Sequence, residues 1–373
     1  MRVLFSLTYY SPYVSGLTVY VKRLAEELVK RGHGVQVLCM KHDPGLADEE
    51  TINGVRVSRA KPLMRVSKGF LSADWMVRSV RAVRNTDTVI INLPQAEGWI
   101  PAVAAKVWGK KAVAVYHCEV EMKNKIVQAG LEIANAVTLS LANTIVAYTQ
   151  DYAKNCRLLQ GWEGKIKYIY PPIPVLKSDP ILEAKLRKQI GKADMVVGAA
   201  VRLAEEKGME YLLEAVPFLG KGVKIVVAGP TEPVGEERYK RRILKLVEHL
   251  GNQVVFLGTI EPEKMGAFYK VIDVLALPSV NSTEAFGMVQ AEAMMCGVPV
   301  VASDLPGVRV PIQVTKMGIL AKPKDAGSLA GAIHDVFNNR LKLQINVQKV
   351  KQEFEMAKAI KAYNEVFSMP SKA

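Results

Sequence analysis

Short apolar runs alternate with longer amphipathic stretches along the chain. Runs of four or five apolar residues predict buried strands, and apolar positions three and four apart predict helices that pack on them. In the first half, strands are predicted at residues 3–7, 35–39, 55–58, 88–92, 112–116, 144–148 and 166–169, and helices at 18–30, 75–83, 100–108 and 126–141. This alternation is typical of an α/β domain with a doubly wound parallel sheet.

The alternation restarts after a proline-rich joint at residues 170–180. Strands are predicted there at residues 195–200, 224–228, 254–257, 274–277 and 298–302, and an amphipathic helix at 351–367. A length of 373 residues corresponds to about two domains of usual size. We therefore predict a first domain at residues 1–172, completed by a C-terminal helix within 351–373, and a second domain at 173–350.

Composition narrows the class of protein. An apolar content of 49% supports globular folding. The four cysteines are scattered, which argues against a disulfide framework or a C-x-x-C metal site and favours reduced thiols in the cytoplasm; they are Cys39, Cys118, Cys156 and Cys296. No run approaches 18 apolar residues, and the apolar start of the chain is too short for a signal peptide, so we expect no membrane span.

The net charge of +14 is concentrated in part at residues 56–84. This segment contains one acid, Asp74, and the basic residues Arg56, Arg59, Lys61, Arg65, Lys68, Arg78, Arg81 and Arg84. Apolar residues lie between them, so the segment fits an anionic membrane surface. It fits equally well the solvated face of a basic protein, and both interpretations stay open. Nucleic acid is not expected as a partner, because no recognisable motif accompanies the charge.

The segment 279–307 carries the candidate chemistry. Glu284 and Glu292 lie around the start of a helix that we predict at residues 286–296, which Gly297 ends. One carboxylate can accept hydrogen bonds from sugar hydroxyls and the other from ribose hydroxyls. Free backbone N–H groups near Gly287 and Met288, at the positive end of the helix dipole, suit a diphosphate. The pattern therefore indicates a site for a nucleotide-sugar.

The same segment resembles the motif of the retaining glycosyltransferases of family four, the glycosyl transferases group 1. The matching positions are Pro278, Ser279, Glu284, Phe286, Gly287, Glu292, Ala293, Gly297, Pro299, Val300 and Val301. The resemblance implies a GT-B fold, in which two doubly wound Rossmann-like domains face each other across a cleft and the C-terminal helix crosses back to the first domain. It places the acceptor on the first domain and the nucleotide-sugar on the second.

Further residues follow from the resemblance. Arg202 and Lys207 match the family's cations beside the departing diphosphate, where they offset its growing charge in place of a metal. No Asp-x-Asp occurs in the chain, so we expect no metal and no cofactor besides the donor substrate. Gly229 matches a glycine turn, and Gly258 with Thr259 matches the segment that meets the nucleobase.

In the first domain, Gly16 matches the opening glycine loop. His117 follows the predicted strand 112–116, where the family has a cleft histidine, and the resemblance favours a sugar-contacting role over a capping one.

The resemblance implies a retaining, metal-independent transfer of a hexosyl group to a glycan, lipid or lipid-linked acceptor, with the leaving phosphate taking the acceptor's proton. Glu284 is assigned to sugar hydroxyls and Glu292 to ribose hydroxyls. The location expected is cytoplasmic, with peripheral attachment to the membrane as one option. Two alternatives stay open: another GT-B enzyme, such as a nucleotide-sugar epimerase or hydrolase, and a non-catalytic homologue that binds nucleotide-sugar or membrane. The base, the hexose and the acceptor are not assigned.

Overall fold

The computed structural model describes residues 1–66, 69–122, 124–231, 236–339 and 345–369. The chain divides into two compact units. Unit 1 comprises Met1–Pro172 and Met356–Ala373, and unit 2 comprises Ile173–Glu355. Among the described residues, no helix combines the length and the apolar character needed to cross a bilayer.

Unit 1 is built on a sheet with the strand order β10-β9-β8-β7-β1-β2-β4-β3. Its strands are β1 (Arg2–Ser6), β2 (Gly34–Met40), β3 (Glu49–Ile52), β4 (Val55–Ala60), β7 (Thr88–Leu93), β8 (Lys111–Tyr116), β9 (Thr144–Ala147) and β10 (Ile166–Tyr168), with β5 (Met64–Val66) and β6 (Gly69–Leu71) forming a separate ladder. Its helices are α1 (Gly16–Lys30), α2 (Ala73–Arg84), α3 (Trp99–Val107), α4 (Lys125–Leu141), α5 (Gln150–Asn155) and α14 (Met356–Ser368).

The centre of this sheet is parallel and buried, as the continuous apolar runs predict. Strand β1 pairs with β2 on one side and with β7 on the other, and every residue of β7 and β8 is buried. The chain order reverses between β1 and β7, so the topological switch point of unit 1 lies there. The predicted strands of the first half agree with the observed ones to within one or two residues.

Strand β3 was not predicted, because its residues Glu-Glu-Thr-Ile are mostly polar and exposed. It pairs antiparallel with β4 across a turn in which Asn53 has φ +49° and Gly54 has φ +82°. Positive φ at both central residues is the geometry of the tight Asn-Gly hairpin. The Asn-Gly pair was therefore the signal in the sequence for this strand.

Helix α14 completes unit 1 from the far end of the chain. The hydroxyl of Tyr363 is hydrogen-bonded to that of Tyr20 in α1 at 2.5 Å, and both rings are fully buried. The ammonium of Lys111 donates to the carbonyl oxygens of Val366 at 2.7 Å and Phe367 at 2.9 Å, which satisfies carbonyls that the helix leaves unpaired at its C-terminus. The last helix is thus part of the first unit's core.

Unit 2 contains a sheet with the strand order β13-β12-β11-β14-β15-β16, and all of its strand pairs are parallel. Its strands are β11 (Met195–Ala200), β12 (Val223–Ala228), β13 (Val254–Gly258), β14 (Val274–Leu277), β15 (Val300–Ser303) and β16 (Gly318–Ala321). Its helices are α6 (Pro180–Ile190), α7 (Met209–Leu219), α8 (Glu237–Leu250), α9 (Met265–Tyr269), α10 (Met288–Met295), α11 (Val310–Thr315), α12 (Ala326–Asn338) and α13 (Val347–Phe354).

The tail predicted as one helix at residues 351–367 is divided in two. Helix α13 ends at Phe354, and Glu355 is extended, with φ −62° and ψ +151°. Glu355 forms a β-bridge with Ile173, and Ile173 N–H donates to the carbonyl oxygen of Phe354 at 3.3 Å. Residues 351–355 therefore group with unit 2, whereas the sequence placed them with the first domain.

Candidate active site

The carboxyl ends of β11, β12 and β13 lie side by side in unit 2. The N–H of Gly229, just after β12, donates to the carbonyl oxygen of Gly258 at 2.8 Å. Gly229 has φ +146°, and a Cβ there would lie 2.1 Å from the carbonyl oxygen of Val201. Only glycine fits this position, since any side chain would collide with the neighbouring backbone. Thr259, the next residue after β13, is exposed.

The loop after β11 is fixed to the loop after β14. Residues Glu205–Lys207 form one turn of 3-10 helix, and Gly208 follows in the left-handed region with φ +61°. A Cβ at Gly208 would lie 2.1 Å from the carbonyl oxygen of Pro278, and the N–H of Val280 donates to the carbonyl oxygen of Glu206 at 3.1 Å. This contact brings the predicted Lys207 to the segment that carries Glu284.

Glu284 is the centre of the cluster that results. Its Oε2 accepts from the ammonium of Lys207 at 2.6 Å, and its Oε1 accepts from the backbone N–H of Gly287 at 3.0 Å. Both side chains are largely buried, with 20% of Lys207 and 14% of Glu284 exposed. The prediction that the N–H of Gly287 is free was wrong, because the carboxylate three residues earlier already occupies it.

Arg202 also has a carboxylate partner. Its guanidinium forms an ion pair with Glu206, and both residues belong to the loop after β11. The sequence analysis missed Glu206 as part of the site. Its pairing with Arg202 had no helical signal in the sequence, because the 3-10 turn covers only Glu205–Lys207.

Helix α10 begins two residues later than predicted, at Met288. Its cap is Gly287, which has φ +73° and, as a glycine, contributes no side-chain cap to the first turn. A Cβ at Gly287 would lie 2.4 Å from Cδ2 of Leu277, so the close packing against β14 requires glycine. Phe286 is buried beside it and meets the ring of Phe354 edge-on, with centroids 5.6 Å apart. The start of α10 is therefore closely packed against β14 and Phe354.

Glu292 lies further along α10 and is buried. The hydroxyl of Tyr269, at the end of α9, donates to its Oε2 at 2.7 Å. Tyr269 had no signal in the sequence, because it occurs in a short apolar helix without a motif. The ribose-binding role of Glu292 stays a prediction.

His117 belongs to unit 1, where it follows β8 and is buried. The amide nitrogen of Asn92 donates to the carbonyl oxygen of Ser6 at 3.1 Å, so its Oδ1 faces Nε2 of His117, at 2.9 Å, as an acceptor. Nε2 therefore carries the proton and Nδ1 accepts from the hydroxyl of Tyr148. Burial lowers the pKa of His117 to about 3, which keeps the ring neutral. Its sugar-contacting role stays a prediction.

Gly16 is the first residue of α1, and Ser15 before it is the cap. Ser15 Oγ accepts from the N–H of Thr18 at 3.2 Å, and Thr18 Oγ1 accepts from the N–H of Ser15 at 2.7 Å. This capping box satisfies two donors that the helix would otherwise leave unpaired.

The basic segment 56–84 offers fewer free charges than its composition suggests. Arg59 is fully buried and pairs with Glu50 at 2.5 Å, Arg78 pairs with Asp74 at 2.8 Å, and Lys61 pairs with Asp48 at 3.1 Å. Arg56, Arg81 and Arg84 are exposed. Lys68 and the side chain of Arg65 lie outside the described residues.

In the described ranges, the His, Cys, Asp and Glu side chains form no group of three or more that could hold a metal ion.

Two family models match the chain, one on each half. The Glycosyltransferase Family 4 model matches residues 14–175, and the Glycosyl transferases group 1 model matches residues 183–354.

Full-length relatives and solved structures are also similar. An uncharacterized glycosyltransferase of Methanocaldococcus jannaschii is 28% identical, with 87% of this chain and 86% of the relative covered. A D-inositol 3-phosphate glycosyltransferase of Xylanimonas cellulosilytica is 24% identical, with 96% and 92% covered. The structure of sucrose-phosphate synthase from Thermosynechococcus elongatus matches with a TM-score of 0.80 at 21% identity, covering 98% of this chain and 99% of that one. Anabaena HepE in complex with UDP-glucose matches with a TM-score of 0.79 at 21% identity, covering 99% and 100%.

Proposed function

Because this chain belongs to the Glycosyltransferase Family 4 and Glycosyl transferases group 1 proteins, we propose that it moves a hexosyl group from a nucleotide-sugar to a glycan or lipid-linked acceptor. We further propose that the transfer retains the anomeric configuration and needs no metal ion. One observation carries the proposal: Glu284, Lys207 and the N–H of Gly287 meet at the carboxyl ends of the parallel strands of unit 2. Ligands of open α/β sheets bind at this edge.

The roles follow from the chemistry of the cluster. Lys207 and Arg202 supply cations for the diphosphate, whose negative charge grows as the glycosidic bond breaks. The start of α10 adds the positive end of a helix dipole. Glu284 takes sugar hydroxyls and Glu292 takes ribose hydroxyls. In a retaining transfer, the leaving phosphate takes the proton of the acceptor hydroxyl on the face where the new bond forms.

The donor class is supported by the similar proteins. The Anabaena structure holds UDP-glucose. The base and the hexose used by this chain are left open, since a single substitution in a pocket can change such a preference.

A lipid-linked acceptor is supported by the surface of α2. Met76, Val77 and Val80 are exposed on this helix together with Arg81 and Arg84. Apolar and cationic side chains on one helix suit the boundary of an anionic membrane. We propose that this surface brings the enzyme to an acceptor held in a membrane.

Glu284→Ala and Lys207→Ala should each abolish turnover, a loss of at least about 100-fold, because each removes a charge that contacts the donor. The fold should persist in both variants with a moderate loss of melting temperature, since each leaves a largely buried partner unpaired at the end of the sheet. Activity is measured as nucleotide release from a panel of nucleotide-sugars with a mixture of glycan and lipid-linked acceptors. Lys264→Ala is the matched control, because it breaks an exposed pair with Glu261 in the same unit.

Normal activity in either variant contradicts the assignment. The same assay without acceptor separates the alternatives: release that needs no acceptor indicates a hydrolase, and an intact donor under all conditions indicates a non-catalytic binding protein.

EDTA should leave the rate unchanged within about twofold, because two cationic side chains take the place that a metal ion has in other transferases. The measurement is the initial rate with EDTA in excess, with and without added Mg²⁺ or Mn²⁺. A rate that EDTA removes and Mn²⁺ restores would overturn metal independence.

A further inference from the structure

The Glu284 carboxylate occupies two of the donors that the proposed function assigns to the diphosphate. One oxygen accepts from the ammonium of Lys207 and the other from the N–H of Gly287 at the start of α10. A carboxylate held between an ammonium and a helix N-terminus has the contacts that a phosphate oxygen would make there. Glu284 therefore stands where an anionic ligand is expected to bind.

The charges around it are balanced. Arg202 pairs with Glu206 and Lys207 pairs with Glu284, so two positive and two negative groups cancel. A diphosphate that approaches this cluster meets no net positive charge. The Gly287 N–H is a single donor and must exchange the carboxylate for a phosphate oxygen, and the ammonium of Lys207 must share its charge between the carboxylate and the phosphate.

We propose that Glu284 is an internal counter-ion that the diphosphate displaces and that the sugar hydroxyls then receive, so that the site recognises both parts of the donor together. This inference rests on the proposed function of the same site. A nucleoside diphosphate without a sugar would release the largely buried carboxylate and offer it no new partner, which costs binding free energy. The complete nucleotide-sugar would supply hydroxyl donors to the released carboxylate.

The chain offers a matched comparison in Glu206. This carboxylate also neutralises a cation of the site, but it comes from the same loop as Arg202 and has no assigned contact with the sugar. Removal of the Glu206 charge should strengthen binding of nucleoside diphosphate and of nucleotide-sugar by similar factors. Removal of the Glu284 charge should strengthen only the binding of diphosphates that lack a sugar.

The test is titration calorimetry on the full chain at low salt, with wild type, Glu284→Gln and Glu206→Gln. The probes are inorganic pyrophosphate, then UDP, GDP and ADP, then UDP-glucose, GDP-mannose and ADP-glucose. In Glu284→Gln we expect the Kd for pyrophosphate and for the preferred nucleoside diphosphate to fall about tenfold, equivalent to about 1.4 kcal/mol. The Kd of the matching nucleotide-sugar should stay the same or rise. In Glu206→Gln, the Kd of the nucleoside diphosphate and the Kd of the nucleotide-sugar should fall by similar factors.

Lys207→Gln keeps the result interpretable if Glu284→Gln unfolds, which melting curves would show. Lys207→Gln also frees Glu284 but removes the cation, so the counter-ion model expects weaker binding of every probe.

The inference is overturned if Glu284→Gln leaves the diphosphate affinity unchanged, or weakens the binding of diphosphate and of nucleotide-sugar by the same factor. If Glu284→Gln binds pyrophosphate more strongly than wild type does, Glu284 acts as a counter-ion. If wild type at the same time binds no nucleotide-sugar, the proposed function is refuted. Absence of binding for every probe would refute both.

Discussion

At the scale of single residues, Glu97 is a buried acid outside the candidate site. It follows β7, is 7% exposed, and its Oε1 has no hydrogen-bond partner among the residues that the structure describes. Burial raises the pKa of its carboxyl from 4.5 to about 7, because a low-dielectric surrounding disfavours the charged form. A carboxyl with a raised pKa in the folded state stabilises the fold at low pH. That contribution decreases as the pH rises from about 4.5 to about 7.

Glu97→Gln should therefore stabilise the protein relative to wild type by an amount that grows with pH. A shift of this size corresponds to a change of about 3 kcal/mol between pH 4.5 and pH 8. The measurement is the free energy of unfolding in urea at several pH values. Glu248→Gln, at an exposed position of α8, is the control and should show no such trend. A constant difference between Glu97→Gln and wild type across this range would mean that Glu97 ionises normally.

Residues of the site were predictable where the chemistry depends on local spacing. The segment around Glu284 was singled out by the spacing of its two acids and its helix signals, and Arg202 and Lys207 by their resemblance to the family; the roles of these residues stay predictions. The hydrogen-bond partners of these residues were harder to predict. Glu292 in α10, for example, accepts from the hydroxyl of Tyr269 in α9. The pairing of Glu284 with Lys207, 77 residues away, depends on the contact of two loops and has no counterpart in sequence periodicity.

At the scale of elements, the loop after β11 depends on the close approach of Gly208 to Pro278. Gly208→Ala would place a methyl group 2.1 Å from a carbonyl oxygen, so the loop must shift and take Lys207 with it. We expect a loss of about 1–3 kcal/mol in stability, with turnover reduced at least about tenfold.

The control for this substitution is Gly109→Ala. Gly109 has φ +59°, close to the φ of Gly208, but no atom of the described part of the chain lies within 4 Å of its Cβ position. Gly109→Ala should lose only about 1 kcal/mol in stability, which is the cost of placing alanine in left-handed backbone. Equal effects of the two substitutions on stability, with full activity in Gly208→Ala, would show that the loop contact does not position Lys207.

Elements were predictable where burial is continuous. The central parallel strands are apolar on both faces, and they were located to within one or two residues. Strands β3 and β16 lie at sheet edges, and neither was predicted. Edge position alone does not account for this, because the edge strands β10 and β13 were predicted; β3 lacks an apolar run, since its residues are mostly polar.

At the scale of the whole molecule, the net charge of +14 and the exposed face of α2 predict binding to anionic vesicles. The protein should sediment with vesicles of phosphatidylglycerol and remain in solution with phosphatidylcholine, because the attraction depends on negative headgroups. High salt should weaken the binding through screening. Val77→Glu combined with Val80→Glu should reduce it further, since both side chains are exposed on α2.

Lys30→Glu combined with Lys245→Glu is the control for charge alone, because both positions are exposed and neither lies on α2. Equal loss of binding in the two double variants would assign the effect to net charge instead of to the α2 surface. Equal sedimentation with both kinds of vesicle would contradict an electrostatic membrane contact.

The two-domain organisation was predictable because the proline-rich joint interrupts one alternation of strands and helices and a second one follows. The division of the C-terminal tail into two helices was not predictable. The amphipathic pattern continues through Glu355, and the break there depends on a backbone bridge to Ile173, which is far away in the sequence.

The crowding at Gly229 has a consequence for engineers who seek a new donor preference. A saturation library at Gly229 would consist mostly of damaged proteins, because the first carbon of any side chain collides with Val201. Thr259 is exposed one residue beyond the neighbouring strand, so we expect the fold to accept other side chains there. Diversity in this enzyme is therefore best introduced at Thr259, with Gly229 kept as a fixed part of the scaffold.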